Sequence, residues 1–129
     1  MCGMPVRIAT GLAARDGGVD AYAEAAARAQ LGHGGAPADL VVVFAGSDNL
    51  DSIEDGLAAV EARLRSNALT GCGAGGVVGS GRELESGGVV VWAASLGDGA
   101  AESFHVAISD PIAGFGAGLS PTGASAPRR

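Results

Sequence analysis

Apolar and polar residues fall along this chain in a few distinct patterns. Val6-Arg7-Ile8-Ala9-Thr10-Gly11-Leu12 alternates loosely and carries β-branched residues, which predicts a first strand broken by Asp16-Gly17-Gly18. From Asp20 to Leu31 the period changes. Tyr22, Ala23, Ala26 and Ala29 form a narrow stripe at helical spacing, with Asp20 placed to cap the start and Gly32 to end it. Such small residues let a helix lie close to a sheet. After the loop His33-Gly34-Gly35-Ala36-Pro37, the run Leu40-Val41-Val42-Val43-Phe44-Ala45 is apolar without alternation. That is the pattern of a central parallel strand covered on both faces. Gly46-Ser47-Asp48-Asn49 turns the chain into a second helix over about 52–65, where Ile53, Leu57, Val60 and Leu64 recur one turn apart. Asp51 and Glu54 have capping-box spacing, Arg63 and Arg65 suit the last turn, and Asn67 suits a left-handed terminator.

The second half is richer in glycine. Ala68-Leu69-Thr70 starts a short third strand, which enters the dense stretch Gly71 to Gly81, with a brief strand at Val77-Val78. Arg82 to Gly88 reads as a polar turn, and Gly88 to Leu96 as a clear strand through Val89, Val90, Val91 and Trp92. Gly97-Asp98-Gly99 breaks it. Ser103 to Ile108 alternates again, putting Phe104, Val106 and Ile108 on one face. The order βαβαβ followed by shorter strands predicts an α/β fold, a mixed sheet with helices packed on it. Residues 1–110 make one domain, and 111–129 a flexible Gly/Pro/Ser-rich tail.

With 129 residues, 47% of them apolar but only 4% aromatic, the chain has one core built from Val, Leu, Ile and Ala. The net charge of −6 and the lack of any basic cluster argue against nucleic acid and against acidic membranes as partners. No apolar run nears the roughly 20 residues that span a bilayer. Arg7 interrupts the N-terminal apolar stretch, so no signal peptide is expected. Cys2 and Cys72, far apart, read as free thiols in a reducing compartment, which points to the cytoplasm.

The chemistry-bearing residues sit in two loops. Gly71, Gly73 and Gly76 match GxGxxG, but valines and further glycines follow where a dinucleotide fold opens a helix, and no GK[ST] occurs. No cofactor is expected. Two readings of the segment stand side by side: tight turns and close strand approach that exclude a Cβ, with a positive φ expected at Gly76, or a backbone-lined site gripping a small anion. Cys72 reads as a buried filler, or as a nucleophile if His33 or His105 approaches it in space. Ser47, Asp48 and Asn49 follow the central strand and either contact a ligand or cap the next helix. Two histidines and two scattered cysteines have no metal-site spacing.

Three segments together resemble the N-terminal FIST domain: Ala38 to Ser47, then Leu69-Thr70-Gly71-Cys72-Gly73-Ala74-Gly75-Gly76-Val77-Val78-Gly79, then Gly81-Arg82-Glu83-Leu84-Glu85. The resemblance covers about 23–108. It implies a bacterial intracellular sensory domain for small ligands such as amino acids, usually followed by a FIST C domain. The chain stops near where the resembled domain ends, which points to a truncated product. The resulting expectation is a ligand-binding sensory domain, not an enzyme. Its ligand would lie against Ser47, Asp48, Gly71, Cys72, Gly73, Gly75 and Gly76. The alternatives are an adaptor that docks a partner protein, since the family includes such proteins, and a Cys72-dependent enzyme.

Overall fold

The computed structural model describes residues 5–15 and 17–107. Its elements run in the order β1 (Val6–Ala13), α1 (Val19–His33), β2 (Leu40–Gly46), a 3-10 turn (Ser47–Ser52), α2 (Ile53–Leu64), β3 (Ala68–Ala74), β4 (Val77–Gly79), β5 (Arg82–Leu84) and β6 (Val89–Leu96). The βαβαβ start is present, and β2 and β3 pair in parallel from Leu40↔Ala68 to Gly46↔Ala74. β6 is antiparallel to β1 and to β2 and lies between them, so the mixed sheet has the order β1-β6-β2-β3. The expected tail at 111–129, like Ile108, lies outside the described residues.

Period-two alternation sorts the sheet into two unlike faces. Ala13, Val41, Val43, Ala45, Val89, Val91 and Ala93 form one buried cluster with Ala21, Tyr22, Ala25, Ala26 and Ala29 of α1 and Val60 and Leu64 of α2. Both helices therefore cover the same face. Their closeness depends on missing side chains. A Cβ on Gly11 of β1 would fall 2.0 Å from the Ala25 carbonyl oxygen. One on Gly56 of α2 would fall 2.3 Å from Cδ2 of Tyr22, so the ring occupies the space a side chain would need. On the other face, the β4–β5 ribbon covers one end only, where Val77 and Leu84 pack on Leu12 and Val90.

Several local expectations are corrected. Gly32 lies inside α1, and Gly34, at φ 85°, is the left-handed residue that ends it. Gly18, not Asp20, precedes the helix, and Asp20 sits in its first turn. Ala23 is only half-buried, and Ala21 and Ala25 complete the stripe. The Asp51–Glu54 capping box does not form, because a 3-10 turn carries the chain into α2 and the cap makes no side-chain bond. Arg65, at φ 48°, replaces Asn67 as the left-handed residue after α2. β3 runs on through the glycines to Ala74, and Arg82 to Leu84, read as a turn, pairs with β4. Residues Ser103 to Ala107 form no strand. β2 is central, fully buried on the helix side and only partly covered on the other, where Leu40 and Val42 are half-buried and Phe44 remains 40% exposed.

Candidate functional site

A βαβ unit sets parallel strands side by side, so their carboxyl ends open onto a common rim. Gly46 pairs with Ala74, which puts the residues after each strand, Ser47-Asp48 and Gly75-Gly76, on neighbouring lines of that rim. The strand ends from which the two loops singled out from sequence leave are therefore adjacent. A third segment joins them. The Gly46 amide donates to the Gly88 carbonyl oxygen at 2.8 Å, and the Asp48 amide to the Ser86 carbonyl oxygen at 3.1 Å. The Ser47 hydroxyl reaches the same Ser86 oxygen at 3.4 Å. Ser86 carried no signal in the sequence, because the contact spans a separation of 39 residues.

The glycines divide by what surrounds them. A Cβ on Gly71 would fall 2.1 Å from the Val43 carbonyl oxygen, and one on Gly73 would meet the Leu50 side chain at 2.5 Å. Gly76 would meet the Leu84 and Glu85 carbonyl oxygens at 2.8 and 3.1 Å. Its constraint is this close approach, since its φ is not among the positive values. Gly75 differs: nothing lies within 4 Å of its Cβ position. There the space beside the backbone is open.

Neither Asp48 nor Asn49 caps a helix with its side chain. Asn49 is buried, and its amide nitrogen donates to the carbonyl oxygens of Arg15 and Gly88 at 3.2 and 3.4 Å. Its own carbonyl oxygen receives the Tyr22 hydroxyl at 2.8 Å. Asn49 thereby ties the end of β1, the start of β6 and α1 to the rim. Its Oδ1 is buried without a hydrogen-bond partner.

Cys72 is exposed, which corrects the expectation of a buried filler. It pairs with Phe44 on the face away from the helices. His33 is fully buried and its ring is engaged at both nitrogens. Nδ1 donates to the Ala36 carbonyl oxygen at 3.1 Å, which leaves Nε2 of the neutral ring to accept the Ser95 hydroxyl at 2.7 Å. The contact fixes the end of α1 to β6. A cavity of about 220 Å³ lies beside it, lined by Pro5, Arg7, His33, Ala36 and Ser95. A second, of about 270 Å³, lies between Leu40, Ala68 and Thr70 and the passing segment Glu102-Ser103-Phe104. Among the described residues no group of three or more His, Cys, Asp or Glu side chains could hold a metal ion. No helix among them is long and apolar enough to cross a membrane.

No family model matches the chain. It is 38% identical over 102 residues to two uncharacterised proteins from two strains of Mycobacterium tuberculosis. The match takes in 78% of this chain and 26% of each relative, so the chain spans about a quarter of the length of the curated relatives it matches.

Proposed function

We propose that this chain is a ligand-binding sensory domain of the FIST type, acting in the cytoplasm and taking a small molecule such as an amino acid at the carboxyl ends of β2 and β3. The observation that carries the reading is the open space at Gly75, on the rim where the two parallel strands end and where the exposed Asp48 follows β2. An amino acid suits this chemistry. Asp48 supplies a negative charge for its ammonium group, Ser47 a hydroxyl, and the bare backbone at Gly75 close approach for its carboxylate. Gly71, Gly73 and Gly76 would hold the strands and ribbon at the spacing the rim needs. Cys72 would line the approach from the sheet face. The role is binding and signalling, with a FIST C domain or another protein receiving the signal.

The test is thermal unfolding in the presence of each amino acid. A bound ligand at one hundred times its dissociation constant adds about 2.7 kcal/mol of stability. The expected outcome is a raised melting temperature with one or a few amino acids, lost in Asp48→Ala and in Gly75→Val. Shifts that survive both substitutions would place binding elsewhere, and no shift with any amino acid would remove the amino-acid reading. The adaptor reading has its own support in the apolar face opposite the helices, where Phe44 is exposed.

A further inference from the structure

Ser95 and His33 meet at the other end of the sheet from the rim, where Ser95 of β6 pairs with Arg7 of β1. The Ser95 hydroxyl donates to Nε2 of His33 at 2.7 Å, and Nδ1 is held by the Ala36 carbonyl oxygen at 3.1 Å. The loop that supplies this carbonyl is fixed on both sides. Gly34 and Gly35 turn it with φ 85° and 81°, the Gly35 amide donates to the Gln30 carbonyl oxygen at 3.1 Å, and the Ala38 amide donates to that of Leu64 at 3.1 Å. The ring is thereby set in one tautomer and one orientation, with its accepting nitrogen on the serine oxygen. This is the geometry of a nucleophile with its base, and of the base with an orienting group. A tie between α1 and β6 needs only the hydrogen bond, yet the serine also lines a cavity. His33 is fully buried and Ser95 half-buried, so the hydroxyl is the accessible end of the pair.

We propose that Ser95 is a catalytic nucleophile toward short-chain carboxylic esters, with His33 as its general base. The site is independent of the rim. Its cavity selects the substrate. A volume of about 220 Å³ falls below the roughly 300–1,000 Å³ of pockets for drug-sized ligands, so it admits a short acyl group and excludes a long one. Pro5 and Ala36 give it small apolar walls, and Arg7 is the one charged residue among the described residues that line it. The Arg7 guanidinium, 3.4 Å from the His33 carbonyl oxygen, supplies positive charge for the oxygen that becomes negative during the reaction. As Ser95 Oγ bonds to the ester carbonyl carbon, its proton passes to Nε2 and the carbonyl electron pair moves onto the oxygen. The intermediate then collapses. The bond to the alcohol oxygen breaks, and that oxygen takes the proton from Nε2. A water molecule repeats the sequence on the acyl-serine, which releases the carboxylic acid and restores Ser95 and neutral His33.

The experiment treats the full chain with a fluorophosphonate, maps the adduct by mass spectrometry, and measures hydrolysis of p-nitrophenyl acetate and p-nitrophenyl octanoate. The adduct is expected on Ser95, and the acetate should be hydrolysed faster than the octanoate by about tenfold or more. Ser95→Ala should abolish adduct and hydrolysis while keeping the far-ultraviolet circular dichroism of the parent. His33→Gln keeps hydrogen-bonding groups but relays no proton, and should lower kcat by about 10²–10⁴-fold. Arg7→Ala should lower kcat by about tenfold or more, with part recovered in Arg7→Lys. Should His33→Gln fail to fold, hydrolysis by the parent in heavy water takes its place and should be slower, because a proton moves to His33 as Oγ attacks. A folded chain with no adduct on Ser95 overturns the proposal. So does hydrolysis that survives Ser95→Ala, full activity in a folded His33→Gln, or an equal rate in heavy water. Octanoate hydrolysed as fast as acetate would overturn the short-chain substrate.

Discussion

At Tyr22 the hydroxyl is fully buried, and desolvation pushes its pKa up from 10.0. The unfolded chain therefore ionises this group first as pH rises. Its contribution to stability is complete below about pH 10 and is lost as the pH climbs toward the folded value. The chain has one tyrosine and no lysine, so few other groups titrate in that window. Melting temperatures measured from pH 8 to 11 should fall above pH 10 in the wild type and stay flatter in Tyr22→Phe. A wild-type profile flat to pH 11 would contradict this. The glycines of the rim make a second contrast. Gly76→Val drives a side chain against two carbonyl oxygens and should cost about 1–3 kcal/mol. Gly75→Ala meets nothing within 4 Å and should stay within about 0.5 kcal/mol of the parent in urea unfolding. Equal losses at the two positions would show that the loop is constrained throughout. Sequence alone could not separate these two glycines, because the difference lies in β5, which supplies the carbonyls.

At the scale of elements, Gly56 sits within α2, where alanine is intrinsically favoured by about 1 kcal/mol. The Tyr22 ring occupies the space that alanine would need, and overpacking of this kind costs about 1–3 kcal/mol. Packing should win, so Gly56→Ala is expected to lower the urea midpoint, and Gly56→Ala combined with Tyr22→Ala should show strong non-additivity. A midpoint raised by Gly56→Ala alone would mean that the helices separate easily. The elements themselves were legible because their periods are local. Ile53, Leu57, Val60 and Leu64 announce α2, and the apolar run of Leu40 to Ala45 announces β2. Element ends were less legible. Gly34 stops α1 where Gly32 offered the same chemistry, and Arg65 takes a left-handed conformation that no local preference of arginine foretells. The triplet Arg82 to Leu84 hides a strand because it is only three residues long, two of them charged and exposed, and its partner β4 is equally short.

For the whole molecule, sequence revealed the mixed α/β class but not the strand order, and it suggested two fully covered faces where one is covered only in part. A run such as Val41-Val42-Val43 does not say whether a second layer exists to meet both sides of it. The adjacency of the strand ends that lead into Ser47-Asp48 and Gly75-Gly76 was legible, since a βαβ unit places consecutive parallel strands together. The participation of Asn49 and Ser86 was not, because it depends on β6. The last strand among the described residues, β6, is also a middle strand of the sheet. During synthesis β1 has no neighbour, and β2 has only β3, until Val89 to Leu96 has left the ribosome. Pairings this distant close long loops before they are rewarded, which slows folding and leaves strand edges unpaired meanwhile. A nascent chain halted before residue 89 should thus remain protease-sensitive, and one extended past Leu96 should gain protection in a single step. The position of one strand makes the birth of this sheet a late, all-or-none event.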